Sequence, residues 1–148
     1  MKRIFLAAAL FLSFAYSGCA TADVQNFKFG ILKAMPNGNY EMGVETARIP
    51  MRYEKSGFRF GIAFDNPSAD AIEWYEVVRL PKPLKKVTGD FVQSSEKALT
   101  SAAQTGIDSH VVDQFWFDEG DPLGPHSLEL YVNGVVKYKV NFEVVKAE

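Results

Sequence analysis

The chain has 148 residues, of which 47% are hydrophobic and 23% are charged, a balance typical of one ordinary globular domain rather than two. Its twelve Phe, six Tyr and two Trp residues supply enough apolar surface for a normal core without disulfide bonds. A formal net charge of −2 gives no basic surface for nucleic acid, so we expect no nucleic-acid partner.

Residues 1–18 have the layout of an export signal. Lys2 and Arg3 precede an apolar run from Ile4 to Tyr16, and small residues follow that run. As a helix the run would extend about 20 Å, which is short of the roughly 30 Å hydrocarbon core of a membrane. We therefore predict a cleaved signal peptide rather than a permanent transmembrane helix.

The end of this signal, Tyr16-Ser17-Gly18-Cys19, resembles the lipobox of bacterial lipoproteins. The resemblance implies cleavage between Gly18 and Cys19, acyl chains such as palmitate on Cys19, and the membrane as a partner. Cys19 is the only cysteine and so has no disulfide partner within the chain. An ordinary signal cut nearby, with an incidental thiol at Cys19, is the alternative.

The expected location in the cell follows from the same resemblance. Ala20, rather than Asp, follows the cysteine. By the sorting rule of Gram-negative lipoproteins, this residue implies an anchor in the outer membrane that faces the periplasm. Residues 19–25 would then form a short tether between the lipid and the folded domain.

Residues 26–146 are patterned as short strands separated by turns, and we predict that they form a single domain. Apolar and polar residues alternate in segments 26–33, 40–44, 58–64, 71–80, 110–117, 128–132 and 136–144. The pattern predicts an all-β fold, an antiparallel immunoglobulin-like β-sandwich of about seven strands.

Two segments depart from simple alternation. Within residues 71–80 the apolar phase changes near Glu76, which predicts a β-bulge there. Residues 95–104 start with Ser, are rich in Ala and stop before Gly106. They predict either one short helix or a loop.

The last two predicted strands form a closing hairpin whose register has two solutions. A two-residue turn would pair Val132 with Val135 and place two lysines on the apolar face. A three-residue loop with a left-handed Gly134 pairs Tyr131 with Val135 and keeps the apolar residues together. We predict the three-residue loop.

Several motifs resemble an uncharacterised family of small bacterial domains. Ile49-Pro50 and Phe60-Gly61 come early, and a strand from Gly124 to Tyr131 and the end segment Phe142-Glu143-Val144 come late. The resemblance covers roughly residues 46–145 and implies a β-sandwich. Because that family has no assigned activity, the resemblance implies no mechanism.

We predict no catalytic residue, metal or cofactor. The Gly-x-Ser-x-Gly, phosphate-loop and dinucleotide glycine patterns are absent from the sequence. His110 and His126 lack further ligands at the spacing of a zinc site. Asp118, Glu119 and Asp121, with His126, leave a metal-assisted hydrolase as the enzymatic alternative.

Three aromatic residues are candidate binding residues. Tyr75, Trp116 and Tyr131 fall at positions expected to face outward, where rings suit a sugar or a partner protein. Our leading hypothesis is a non-enzymatic, lipid-anchored cell-envelope protein with a binding or assembly role. The alternative is a periplasmic inhibitor or a glycan- or peptidoglycan-binding module that uses these aromatics.

Overall fold

A computed structural model describes residues 23–68 and 70–148, and Gly18 and Cys19 lie outside these described residues. The described residues form eleven strands and one 3-10 turn, Glu54–Ser56. The strands are β1 (Gln25–Ala34), β2 (Tyr40–Glu45), β3 (Arg48–Met51), β4 (Phe60–Asp65), β5 (Ile72–Arg79), β6 (Phe91–Ser95), β7 (Ala98–Ser101), β8 (Gln104–Gly106), β9 (His110–Phe115), β10 (Gly124–Val132) and β11 (Val135–Lys146).

The strands form two sheets. The smaller sheet has four strands in the order β2-β1-β4-β9, and the larger has seven, in the order β3-β11-β10-β5-β7-β6 with β8 paired to β5. Within the sheets, neighbouring strands are antiparallel except for β3 and β11, which are parallel. The predicted sandwich is therefore confirmed, with more strands than the pattern indicated.

The core lies between the sheets and consists of the residues that alternate inward along each strand. Phe64 and Ile62 of β4 and Leu128 and Leu130 of β10 are fully buried. Aromatic pairs join the layers: the ring centroids of Phe29 and Phe142 lie 4.8 Å apart and those of Phe64 and Trp74 lie 6.1 Å apart. Burying each such side chain contributes about 1.5–3 kcal/mol, so the sheets are held mainly by apolar packing.

Residues 95–104 form neither the short helix nor the loop that the sequence left open. β6 and β7 form an antiparallel hairpin in this region, and β8 follows as a short strand on β5. Ala98 is buried against the core, whereas the segment has no apolar stripe of helical period that a helix could bury. Within residues 23–68 and 70–148, no helix is long and apolar enough to cross a membrane.

The closing hairpin has the two-residue turn, so the predicted three-residue loop is also wrong. Val132 pairs with Val135, and Asn133 and Gly134 form the turn with φ of 50° and 76°. The apolar phase is restored by a bulge one pair later, since Tyr131 pairs with Val136 but Leu130 pairs with Tyr138. Positive φ at both turn positions is what a type I′ turn requires, and Asn-Gly supplies it at low cost.

β5 has no bulge at Glu76, which corrects a third prediction. Its pairing with β10 runs in unbroken register from Trp74 to Arg79. Ile72, Trp74 and Glu76 all point inward, so the change of apolar phase in the sequence marks a glutamate that faces the core. This buried carboxyl group is the starting point of the candidate site.

Candidate functional site

The sheets enclose a pocket of about 380 Å³ on the side of the sandwich where β7 and β9 lie. β5, β6 and β7 line it from the larger sheet, and β9 with the following residues 116–118 lines it from the smaller sheet. Residues 84–90, here called the strap, line it from the connection between β5 and β6. The volume is within the range of roughly 300–1,000 Å³ that is usual for small-molecule sites.

Most of the pocket wall is apolar. Aromatic and aliphatic side chains from both sheets and from the strap line it: Phe60, Val78, Leu84, Phe91, Leu99 and Phe115. Such walls stabilise the apolar part of a ligand by removing its surface from water.

Glu76 is the most deeply buried charged residue of this pocket, with 1% of its surface exposed. The Ser101 hydroxyl donates to Glu76 Oε2 at 2.6 Å and accepts the Glu76 amide N–H at 2.9 Å. Oε1 is equally buried, but no group among the described residues donates to it. A buried acceptor without a donor is rare in folded proteins and therefore marks a place where a ligand could bind.

The protonation of Glu76 differs from that of an ordinary glutamate. Burial raises the pKa of Glu76 to about 8, and the adjacent Asp113 acts in the same direction through its charge and through a hydrogen bond from the protonated Glu76. The Ser101 hydrogen bond opposes this shift. Glu76 is therefore mostly protonated at neutral pH when the pocket is empty.

Asp113 lies on β9, in the opposite sheet, and is held by donors from the larger sheet. Trp74 Nε1 donates to Oδ2 at 2.6 Å, and Gln104 Nε2 donates to Oδ1 at 3.0 Å. The backbone at Asp113 also lies close to β4, because a Cβ on Gly61 would fall 1.9 Å from the Asp113 carbonyl oxygen. Asp113 acts on Glu76 through its charge and through a hydrogen bond, so the two carboxyl groups are neighbours between the sheets.

Three of the four residues named for a hydrolase, all but Glu119, also line this pocket. The Asp118 amide N–H donates to Asp121 Oδ2 at 2.8 Å, Asp118 Oδ2 accepts the Thr88 hydroxyl, and His126 Nδ1 donates to the Gly124 carbonyl at 2.9 Å. Burial raises the pKa of Asp121 and lowers that of His126. Across residues 23–68 and 70–148, no group of three or more His, Cys, Asp or Glu is arranged to hold a metal ion.

The three predicted binding aromatics are divided between two places. Tyr75 and Tyr131 pair directly across β5 and β10 on the outer face of the larger sheet, with ring centroids 4.8 Å apart and planes within 6°. Trp116 lies instead at the pocket, where the Arg59 guanidinium is 5.2 Å from its ring centroid. The tyrosines form one outer surface, and the tryptophan belongs to the pocket.

Sequence reasoning missed Glu76 and Asp113 as site residues. The available signal was the position of Glu76, two residues after Trp74 and two before Val78 on one face of a strand. An acidic residue in that phase is either on a bulge or buried, and a buried one requires partners. Asp113 shares the inward phase of β9 with Val111 and Phe115.

Comparison with solved structures shows the fold. An immunoglobulin-like protein from Pseudomonas aeruginosa is similar with a TM-score of 0.55 and 16% sequence identity, covering 85% of this chain and 99% of that chain. This likeness confirms the predicted immunoglobulin-like sandwich. The alkylpurine DNA glycosylase AlkC of Pseudomonas fluorescens, solved with DNA containing an abasic site analog, has a TM-score of 0.38 and 14% identity over 83% of this chain and 31% of that chain, which supports no argument.

Comparison with family models shows the family to which the chain belongs. No curated protein matches the sequence. A family model described as the PM0630 beta sandwich domain matches residues 27–145, which include nine complete strands and all but the ends of β1 and β11. The chain therefore belongs to the PM0630 beta sandwich domain family.

Proposed function

We propose that this protein is a non-enzymatic, lipid-anchored protein of the cell envelope, at the outer membrane and facing the periplasm, whose sandwich acts as a binding module. The observation that carries the binding role is the pocket of about 380 Å³, with apolar walls and a buried Glu76 oxygen that lacks a donor among the described residues. A pocket with few, convergent polar groups is the usual form of a small-molecule site.

The anchor is supported by the N-terminal sequence. Residues 2–16 fit an export signal, and Cys19 is the only cysteine of the chain. β1 begins at Gln25, so a lipid on Cys19 would hold the sandwich near the bilayer, within at most ~20 Å of extended chain.

Fractionation of cells tests the anchor. The Cys19→Ser variant is expected to move from the membrane fraction to the soluble fraction, while the matched control Thr21→Ser stays with the membrane. If Cys19→Ser remains in the membrane fraction, the lipid anchor is wrong.

A binding role without catalysis is supported by how the polar groups are used. Among the described residues, the Ser101 hydroxyl is the nucleophilic group that hydrogen-bonds to Glu76, with which it makes two hydrogen bonds, one to the amide and one to the carboxyl. A serine nucleophile needs an ionised base, whereas burial raises the pKa of Glu76 to about 8 and keeps this carboxyl group mostly protonated at neutral pH. We expect a fluorophosphonate probe to leave Ser101 unlabelled, and covalent labelling of Ser101 would overturn the non-enzymatic assignment.

The Tyr75 and Tyr131 stack favours a second candidate function, binding of peptidoglycan or another glycan on the outer face. The exposed side chain of Val136 pairs opposite Tyr131 and extends this surface. Aromatic faces of this kind suit the apolar faces of sugar rings. In a peptidoglycan pull-down, Tyr75→Ala and Tyr131→Ala should each reduce the amount of protein retained. The control Val92→Ala, at an exposed position on β6, should not reduce it. Equal retention of all variants would exclude glycan binding by this surface.

A further inference from the structure

We propose that the pocket takes a small cationic amine with an apolar body, which binds with its ammonium group between Glu76 and Asp113. The inference rests on the proposed binding function and adds the chemical class of the ligand. It depends on three features of the pocket: its walls, the balance of charge around it, and the buried oxygen of Glu76.

The walls require an apolar body. Phe60, Phe91 and Phe115 surround the space together with Leu84 and Leu99. Aromatic faces favour a nearby cation as well as an apolar chain, because their quadrupole places negative charge on the ring face. A purely polar ligand would leave these walls without contacts and would lose its own hydration.

The charge around the pocket favours a cation over an anion. Among the described residues that line it, Lys86 is the single lysine or arginine. Five acidic residues line the same space: Glu76, Asp90, Asp113, Asp118 and Asp121. Carboxylates attract an ammonium group and repel a carboxylate or phosphate at the same place. His126 does not offset this balance, because burial lowers its pKa and favours the neutral ring.

The acceptor oxygens of Glu76 and Asp113 favour a ligand group with several N–H donors. Glu76 Oε1 is buried and accepts from no described group, and Asp113 accepts one donor on each oxygen besides the proton that it shares with Glu76. An ammonium group has three donors and no acceptor, so it can serve both carboxyl groups at once. An alcohol has one O–H donor and can serve only one of them.

Binding of a cation must displace the proton on Glu76. In the proposed complex Glu76 is ionised, because the proton that it shares with Asp113 occupies the same place as an ammonium N–H. The amine therefore releases a proton to the buffer near neutral pH, whereas a neutral alcohol releases none.

Calorimetric titration of the full folded domain with three probes of one shape tests this inference. The probes are 4-phenylbutylamine, 4-phenylbutan-1-ol and 4-phenylbutyrate, each titrated at pH 7 in two buffers of different ionisation enthalpy. The amine is expected to bind about tenfold or more tightly than the alcohol, and the acid least, because charge-assisted hydrogen bonds are the stronger kind. Only the amine should release protons.

Two variants of β5 test whether the preference for the amine over the alcohol depends on Glu76. Glu76→Gln should reduce the affinity for the amine about tenfold and abolish its proton release while leaving the alcohol unchanged. Glu73→Gln, on the exposed face of the same strand, is the matched control and should change neither. If Glu76→Gln does not fold, the unmodified protein still tests the cationic class of the ligand. The ratio of its affinities for amine and alcohol and its proton release are then the two measurements.

The outcomes separate this inference from the function on which it rests. Equal affinity for amine and alcohol would show a ligand pocket and overturn the cationic class. Amine binding that Glu76→Gln leaves unchanged would overturn the position of the ammonium group. If none of the probes binds at millimolar concentration, the pocket is not a binding site for ligands of this size, and the proposed binding role falls as well.

Discussion

Trp74 and Asp113 lie on opposite sheets, and the indole Nε1 donates to Asp113 Oδ2 at 2.6 Å. Gln104 adds a second donor from the same sheet as Trp74, at 3.0 Å from Oδ1. This polar contact lies next to an otherwise apolar core, where buried polar groups stabilise a fold only when they are paired. It fixes the carboxyl group that acts most directly on Glu76, so stability and the properties of the pocket are coupled there.

Replacement of Asp113 by Asn tests this coupling. The change removes the negative charge beside Glu76, so the pKa of Glu76 should fall from about 8 toward its ordinary value of 4.5. Burial remains the largest cause, so the fall should be partial. Carbon-detected NMR titration of the Glu76 carboxyl measures it, with Asp108→Asn at an exposed site as control; an unchanged Glu76 titration in Asp113→Asn would contradict the pairing.

The pH dependence of stability should carry the signature of Glu76. Its folded pKa of about 8 lies above the ordinary 4.5, so the folded state binds more protons in between. The stabilisation is therefore fully present below about pH 4.5 and is lost as the pH rises through 8. His126 has a lowered pKa and acts with the opposite sign up to about pH 6.5.

Comparison of two proteins isolates the Glu76 contribution from that of His126. The unfolding free energy of the unmodified protein minus that of Glu76→Gln should decrease between pH 5 and pH 8.5, because Gln keeps no titrating proton. Urea titrations at four or five pH values in this range measure the difference. A difference that is flat or rises with pH would show that Glu76 is not a raised-pKa acid.

Local sequence patterns determine which residues of a strand face the core, but not which residues of two different sheets meet. The alternation of large apolar residues in β4 and β10 was sufficient to predict two packed layers, because the alternating direction of side chains is a property of each strand alone. The carboxyl pair could not be predicted, since Glu76 and Asp113 meet only after two different sheets pack together. The register of the closing hairpin was predicted wrongly for a related reason. The Asn133-Gly134 turn is a local feature, but the bulge that returns the apolar residues of β11 to the core side depends on how Tyr138 packs against the core.

Gly134→Val should destabilise the closing hairpin by about 1–2 kcal/mol, because Gly134 has a φ of 76° that a β-branched residue resists. Thermal or urea unfolding measures the change. The control is Ala47→Val, an exposed position without positive φ, which should stay within about 0.5 kcal/mol. Equal stability of Gly134→Val and the unmodified protein would argue against the type I′ turn.

Gly61→Ala should be costly for a different reason, the close approach of β4 and β9. The added Cβ would lie 1.9 Å from the Asp113 carbonyl oxygen and 3.0 Å from its carbon, both backbone atoms that cannot rotate away. Over-packing of this kind typically costs about 1–3 kcal/mol. Gly106→Ala is the matched control, because its Cβ would meet neighbours only at 3.5 Å. Unfolding free energies of the two variants that differ by less than about 0.5 kcal/mol would refute the close approach.

A side-chain hydrogen bond joins the strap to the opposite wall of the pocket. The Thr88 hydroxyl donates to Asp118 Oδ2, and the neighbouring Gly89 lies against the ring of Trp116. Thr88→Val keeps the shape of the side chain but removes the donor, so the strap should open more often while the sandwich stays folded. Limited trypsin digestion should then cut faster at Lys85 and Lys86.

Matched variants and a ligand complete this test. Thr105→Val, at an exposed position on β8, should leave the cleavage rate unchanged. If 4-phenylbutylamine occupies the pocket, it should slow cleavage of the unmodified strap, since Leu84 and Val87 would then have a contact to lose on opening. Faster cleavage in both threonine variants would indicate a general loss of stability, and no change in Thr88→Val would show that the hydrogen bond to Asp118 does not hold the strap closed.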